Sequence, residues 1–116
     1  MAKAPKRNQL SDEALILIAH RFKALSEPVR LKLILALEEG ERNVSELVAA
    51  TKASQTNVSR HLQTLTDAGV LARRKQGVSA YYAIADPVVL DLCDHVCGSL
   101  RRQLARQVSV SQLFRS

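Results

Sequence analysis

SQTNVSRHLQTLTDAGVLARRKQGVSAYY, residues 54–82, decides the fold. Ser54 suits the cap of a helix, and Gly69 suits its end. At about 100° per residue, Val58, Leu62 and Leu65 fall within about 60° of one another. Thr56, Arg60, Gln63 and Thr64 take the opposite side, with Asn57 and Ser59 on its flanks. One face is built for a core and the other is left polar. His61 lies between the two, where either packing or a phosphate contact suits it. Beyond Gly69, VLARRK and VSAYYAI are strand-like runs on either side of Gln76 and Gly77, which fit a tight turn. Val78, Ala80, Tyr82 and Ile84 alternate onto one face of that hairpin.

Upstream, Asn43 followed three residues later by Glu46 approaches a capping box, so NVSELVAAT reads as a short helix leading by a tight turn into the one at Ser54. SEP, residues 26–28, breaks one helix and opens another, because proline is tolerated where its missing N–H is not needed. VRLKLILALEE continues that helix to Gly40, with Leu31, Ile34, Leu35 and Leu37 as core candidates. Ser11, followed by Asp12 and Glu13, starts a first helix that runs to about Leu25. Its stripe of Leu15, Ile18, Phe22 and Leu25, widened by Ile16 and Leu17, is broad enough for part of it to meet a partner subunit. MAKAPKRN before it reads as a mobile basic arm.

Downstream, Asp86 and Pro87 supply a cap and a first-turn proline for a last helix to about Gln107, and SVSQLFRS is a tail that frays. The fold class is mainly α with a small β-hairpin wing, in the order α-α-α-α-β-β-α. Residues 1–10 form the arm, 11–108 one winged helix-turn-helix domain, and 109–116 the tail.

The chain of 116 residues carries a net charge of +6, 47% hydrophobic and 24% charged residues, which describes a soluble domain with a polyanionic partner. The charge is uneven. Between residues 47 and 82, five bases (Lys52, Arg60, Arg73, Arg74 and Lys75) face one acid, Asp67, whereas residues 83–97 hold Asp86, Asp91 and Asp94 and no Lys or Arg. No run of eighteen apolar residues occurs and the first ten lack a secretory signal's apolar core, so a cytoplasmic protein is expected. No glycine-rich phosphate loop, nucleophile triad or paired carboxylates stand out, and the three histidines fall on three different helices. Catalysis is the class these residues speak against, and no cofactor is expected.

Two short helices joined by a tight turn, the second polar on its outer face and followed by a basic hairpin, form a DNA-reading constellation. Arg reaches guanine, Gln and Asn reach adenine, and Ser and Thr serve phosphates or bases. The candidate DNA contacts are Ser54, Gln55, Thr56, Asn57, Ser59, Arg60, His61 and Gln63 on the helix, with Arg73, Arg74 and Lys75 on the wing. FKALSEPVRLKLILAL, then VSELVAATKASQTNVSRHLQTLTDAGVLARRKQGVSAYY, resembles the ArsR family of bacterial winged-helix repressors over roughly residues 14–108. The resemblance implies a recognition helix at residues 54–66 and a wing at 71–84. It also implies a homodimer joined by first and last helices, a palindromic double-stranded DNA operator and release by an inducer.

The inducer is where this sequence departs from the family. Metal-sensing members often place Cys-x-Cys in the first helix of the helix-turn-helix, but NVSELVAATKAS holds no Cys or His. A second family site on the last helix uses an Asp and a His two apart, then a distant His and an acid. Asp91 and Cys93 could mimic the first pair, but nothing after His95 completes the site, so no metal is expected. Cys93 and Cys97 share a helix face about 6 Å apart, Cys93 within an apolar stripe and Cys97 at its edge, while His95 points roughly the opposite way. Asp94 should raise the pKa of Cys97 and Arg101 lower it. Across a dimer seam four such thiols could meet sulfane sulfur, an oxidant or a thiophilic metalloid, making Cys93 and Cys97 the candidate thiol sensor. Two alternatives stand beside this: a winged-helix repressor whose cysteines are structural and which has no small-molecule inducer, and a winged-helix protein-interaction module.

Overall fold

In the computed structural model, which describes residues 6–105 and 112–114, the chain divides into two compact units between Ala85 and Asp86. The first opens with a 3₁₀ turn at Arg7–Gln9, inside the stretch expected as an arm; Met1–Pro5 lie outside the described residues. It continues with α1 (Asp12–Leu25), α2 (Pro28–Ala36), β1 (Arg42–Asn43), α3 (Val44–Thr51), α4 (Gln55–Asp67), β2 (Leu71–Gln76) and β3 (Ser79–Ile84). The second unit holds α5 (Val88–Leu104) and a 3₁₀ turn at Gln112–Phe114. Residues 106 and 107, the expected end of the last helix, lie outside the described residues.

The helix starts follow the local signals. The Ser11 hydroxyl accepts from the Ala14 amide at 3.1 Å, and the Ser54 hydroxyl accepts from the Asn57 amide at the same distance. Asn43 and Glu46 close a full capping box: Asn43 Oδ1 accepts from the Glu46 amide at 2.9 Å, and Glu46 Oε1 accepts from the Asn43 amide at 3.1 Å. Asp86 Oδ1 accepts from the Val88 amide at the head of α5.

Four expectations need correction. The second helix ends at Ala36 instead of continuing to Gly40. Glu38 and Glu39 would bring negative charge to a helix C-terminus that already carries partial negative charge. The chain instead tightens into short turns, with the Glu38 amide donating to Leu35 O and the Gly40 amide to Leu37 O, while Arg42 Nε donates to Ala36 O at 2.8 Å. Within α2, Leu33 is fully buried and Leu35 is 54% exposed, the reverse of the expected core assignment. So apolar a helix carries no clear period, and packing chooses its face. The hairpin register pairs Gln76 with Ser79, so Gly77 and Val78 form the turn rather than Gln76 and Gly77. Gly77 takes the left-handed φ of 61° that this turn demands, and Val78 is fully exposed instead of joining the inward face. Finally, the hairpin gains a third strand, because β1 pairs antiparallel with β3 through Arg42 with Tyr82 and Asn43 with Tyr81, giving the sheet order β1-β3-β2.

The core of the first unit is aliphatic: Leu33, Ile34, Leu47, Val58, Leu62, Leu65 and Val70 are fully buried, joined by Leu25, Leu37 and Leu71. It seats α4 firmly by its apolar side and leaves the other side free. On α1 only Ala24 and Leu25 are buried, while Leu15, Ile16, Leu17, Ile18 and Phe22 are exposed.

Candidate nucleic-acid interface

The face of α4 opposite Val58, Leu62 and Leu65 is open to solvent. Ten of the eleven residues expected at DNA are exposed there and on the wing: Ser54, Gln55, Thr56, Asn57, Ser59, Arg60, Gln63, Arg73, Arg74 and Lys75. Several are already oriented. Arg60 donates to Asn57 Oδ1 at 3.2 Å, which holds the guanidinium along the helix, and Gln63 donates to Asp67 Oδ1 at 2.7 Å. Thr64 donates back to Arg60 O, so its hydroxyl is turned to the backbone.

His61 is the exception, only 7% exposed. Arg30 Nε donates to its Nδ1 at 3.1 Å, which requires a neutral ring with its proton on Nε2. Burial, then the charges of Arg30 and Arg60, hold its pKa below the ordinary histidine value. Of the two roles open to His61, packing is the one this environment favours. The same Arg30 donates through Nη1 to Lys23 O and Ala24 O at 3.3 Å, tying the end of α1, α2 and α4 together. Sequence reading missed Arg30, for it lies 31 residues from His61 and no local pattern links them.

Another missed feature is a cleft of about 260 Å³ lined by Asn43, Val44 and Ser45 at the head of α3, Gln55 in the first turn of α4, and Val78, Ser79 and Ala80 of the wing. Its walls combine two helix starts and the Ser45 and Ser79 hydroxyls, groups that position a phosphate backbone, with the apolar Val78 and Ala80. The wing's run of three cations is divided by strand alternation. Arg73 and Lys75 share the face of Leu71, and Arg74 occupies the other face beside Tyr81.

The model for the bacterial regulatory proteins of the arsR family matches residues 27–73, from the start of α2 into β2. A crystal structure of Rv0081 from Mycobacterium tuberculosis superposes with a TM-score of 0.74 at 33% identity, covering 84% of this chain and 99% of that one. The solution structure of the homodimeric winged helix-turn-helix DNA-binding domain Mb0332 of Mycobacterium bovis superposes with a TM-score of 0.71 at 31% identity, over 92% of this chain and 96% of that one. The chain belongs to the ArsR family. This ArsR-family chain is also 42% identical over 74 residues to a mercury resistance operon repressor of Streptomyces lividans, spanning 64% of its own length and 59% of that relative's. Membership makes it a winged-helix transcriptional regulator and not an enzyme.

The second unit carries the cysteines. Both are free thiols one turn apart on α5, and both are half-buried. Burial first, and then the Asp94 carboxylate, pushes the Cys93 thiol above its ordinary pKa. Asp94 is the next residue along the helix from Cys93. Among the described residues no group of three His, Cys, Asp or Glu side chains is placed to hold a metal, and no helix is long and apolar enough to cross a membrane.

Proposed function

We propose that this ArsR-family chain is a dimeric transcriptional repressor that binds a palindromic double-stranded DNA operator, with residues 11–108 acting as one DNA-binding and dimerisation domain. The observation that carries the reading is the division of α4 into a fully buried apolar face and an exposed polar face that presents Gln55, Thr56, Asn57, Ser59, Arg60 and Gln63. Arg60 is the candidate reader of guanine, and Gln55 and Gln63 are candidates for adenine. Ser54 and cations of the wing serve the backbone. The exposed Leu15, Ile16, Leu17, Ile18 and Phe22 on α1 favour a homodimer through the first and last helices, since a patch of this kind on a soluble chain marks an interface. A two-fold dimer reads two equal half-sites, hence the palindrome.

Selection of binding sites from random-sequence duplexes by the purified full chain is the direct test. A palindromic motif should emerge, and Arg60→Ala should weaken binding to it by about 1–3 kcal/mol while leaving random duplex nearly unaffected. No enrichment and no duplex binding at low salt would transfer the winged helix to a protein-interaction role.

For the inducer, we propose a thiol-reactive species, either sulfane sulfur, an oxidant or a thiophilic metalloid, acting at Cys93 and Cys97. The support is the pair of free, half-buried thiols on a single helix face. Parallel Cβ directions strain a link within one helix, so a bridge between subunits is the favoured product. Operator release by polysulfide, peroxide or arsenite should occur in the wild type and be lost in Cys93→Ser/Cys97→Ser. A wild type that responds to none of them has structural cysteines.

A further inference from the structure

Arg74 differs from its neighbours in the wing. Its Nη2 and Nε donate to the two carboxylate oxygens of Glu41, at 2.5 and 3.2 Å. Its Nη1 donates to Gln76 Oε1 at 2.7 Å, and its guanidinium carbon sits 4.8 Å from the centre of the Tyr81 ring. Arg73 and Lys75, on the opposite face of β2, have no such partner among the described residues. Glu41 immediately precedes β1, so the pair reaches from β2, over Tyr81 on the central strand β3, to the root of β1.

We propose that Arg74 is a positioning residue, a strut that fixes the wing against the root of β1, and that the phosphate contacts of the wing are made by Arg73 and Lys75. This rests on the DNA-binding reading above. The chemistry favours it in two ways. Every nitrogen of the guanidinium already donates to an acceptor in the chain, and a fork-to-fork carboxylate pair is the geometry Arg holds best. A phosphate arriving at Arg74 would also meet the charge of Glu41. The strut has a purpose, because a projecting two-stranded hairpin is marginally stable alone, and a wing ordered in advance loses less freedom on binding.

The test measures binding of the full chain to a fluorescein-labelled random-sequence duplex across a range of KCl concentrations, and amide hydrogen exchange at Gly77–Ser79 without DNA. Arg74→Met should weaken binding about 2- to 5-fold, as for loss of a surface ion pair, with the salt slope unchanged and exchange at the wing tip faster. Glu41→Gln should speed exchange equally, and Glu41→Gln/Arg74→Met should go no further than either alone. Arg74→Lys keeps the charge but not the fork, and should fail to restore slow exchange. Arg73→Met should instead lower the slope by about 0.9 for each bound subunit and leave exchange at the wild-type rate. A fall of that size in the slope of Arg74→Met, or unchanged wing exchange in both Arg74→Met and Glu41→Gln, overturns the strut. Failure of the wild type to bind duplex overturns the DNA reading instead, and the exchange measurement then decides the strut alone.

Discussion

Replacing Arg30 by Met isolates the contact that joins three helices behind the recognition face. The methionine keeps most of the apolar stem and deletes the guanidinium, removing one bond to His61 Nδ1 and two longer bonds to Lys23 O and Ala24 O. The largest loss is at His61. The ring is 7% exposed, so Nδ1 becomes a buried acceptor without a donor, at a cost of about 1–3 kcal/mol. The carbonyl at Lys23 is exposed enough to take water instead, which makes its bond worth little. A total of about 2–3 kcal/mol is expected, read by urea unfolding at pH 7.5 and one fixed protein concentration. The companion is Arg30→Met/His61→Leu. With both polar partners gone no buried acceptor is orphaned, so the double variant should be more stable than Arg30→Met alone. An Arg30→Met loss below about 0.5 kcal/mol, or strictly additive effects, would refute the reasoning.

The same histidine makes stability depend on pH. Its folded-state pKa is held below the ordinary histidine value of 6.5, so its contribution is present above that value and is lost as pH falls through the folded pKa. Urea midpoints between pH 5 and 8 should therefore rise with pH more steeply in the wild type than in His61→Leu, and parallel curves would remove His61 as the cause. On α5, a raised Cys93 pKa leaves little thiolate at neutral pH. Iodoacetamide alkylation in a Cys97→Ser background should keep rising from pH 7 to 9 and be faster in Asp94→Asn; a plateau below pH 8 would mean an activated thiol. Lys52, which ends α3 with a left-handed φ of 60°, bears backbone strain that glycine lacks. Lys52→Gly should be neutral to about 1 kcal/mol more stable by thermal unfolding, and a marked fall in Tm would show that the lysine side chain stabilises the turn.

The starts of α1, α3 and α4 could be read directly because Ser11, Asn43 with Glu46, and Ser54 each close bonds to an amide three residues away. The buried and open sides of α4 were equally plain, since polar and apolar residues there alternate with the helix period, and the exposed site residues followed from that. Signals of this kind are local, and the sequence alone determines them. Where the pattern was uniform it determined nothing: apolar residues crowd α2, and only packing buries Leu33 and turns Leu35 outward. The two-residue β1 exists because β3 lies beside it. Arg30 and His61 meet across 31 residues, and Arg74 and Glu41 across 33. Such pairs have no sequence signature, because a hydrogen bond depends on distance in space and the chain brings these groups together only once the core has closed. Arg73, Arg74 and Lys75 look alike in the sequence. The pleat of β2 and the place of Glu41 are what set Arg74 apart.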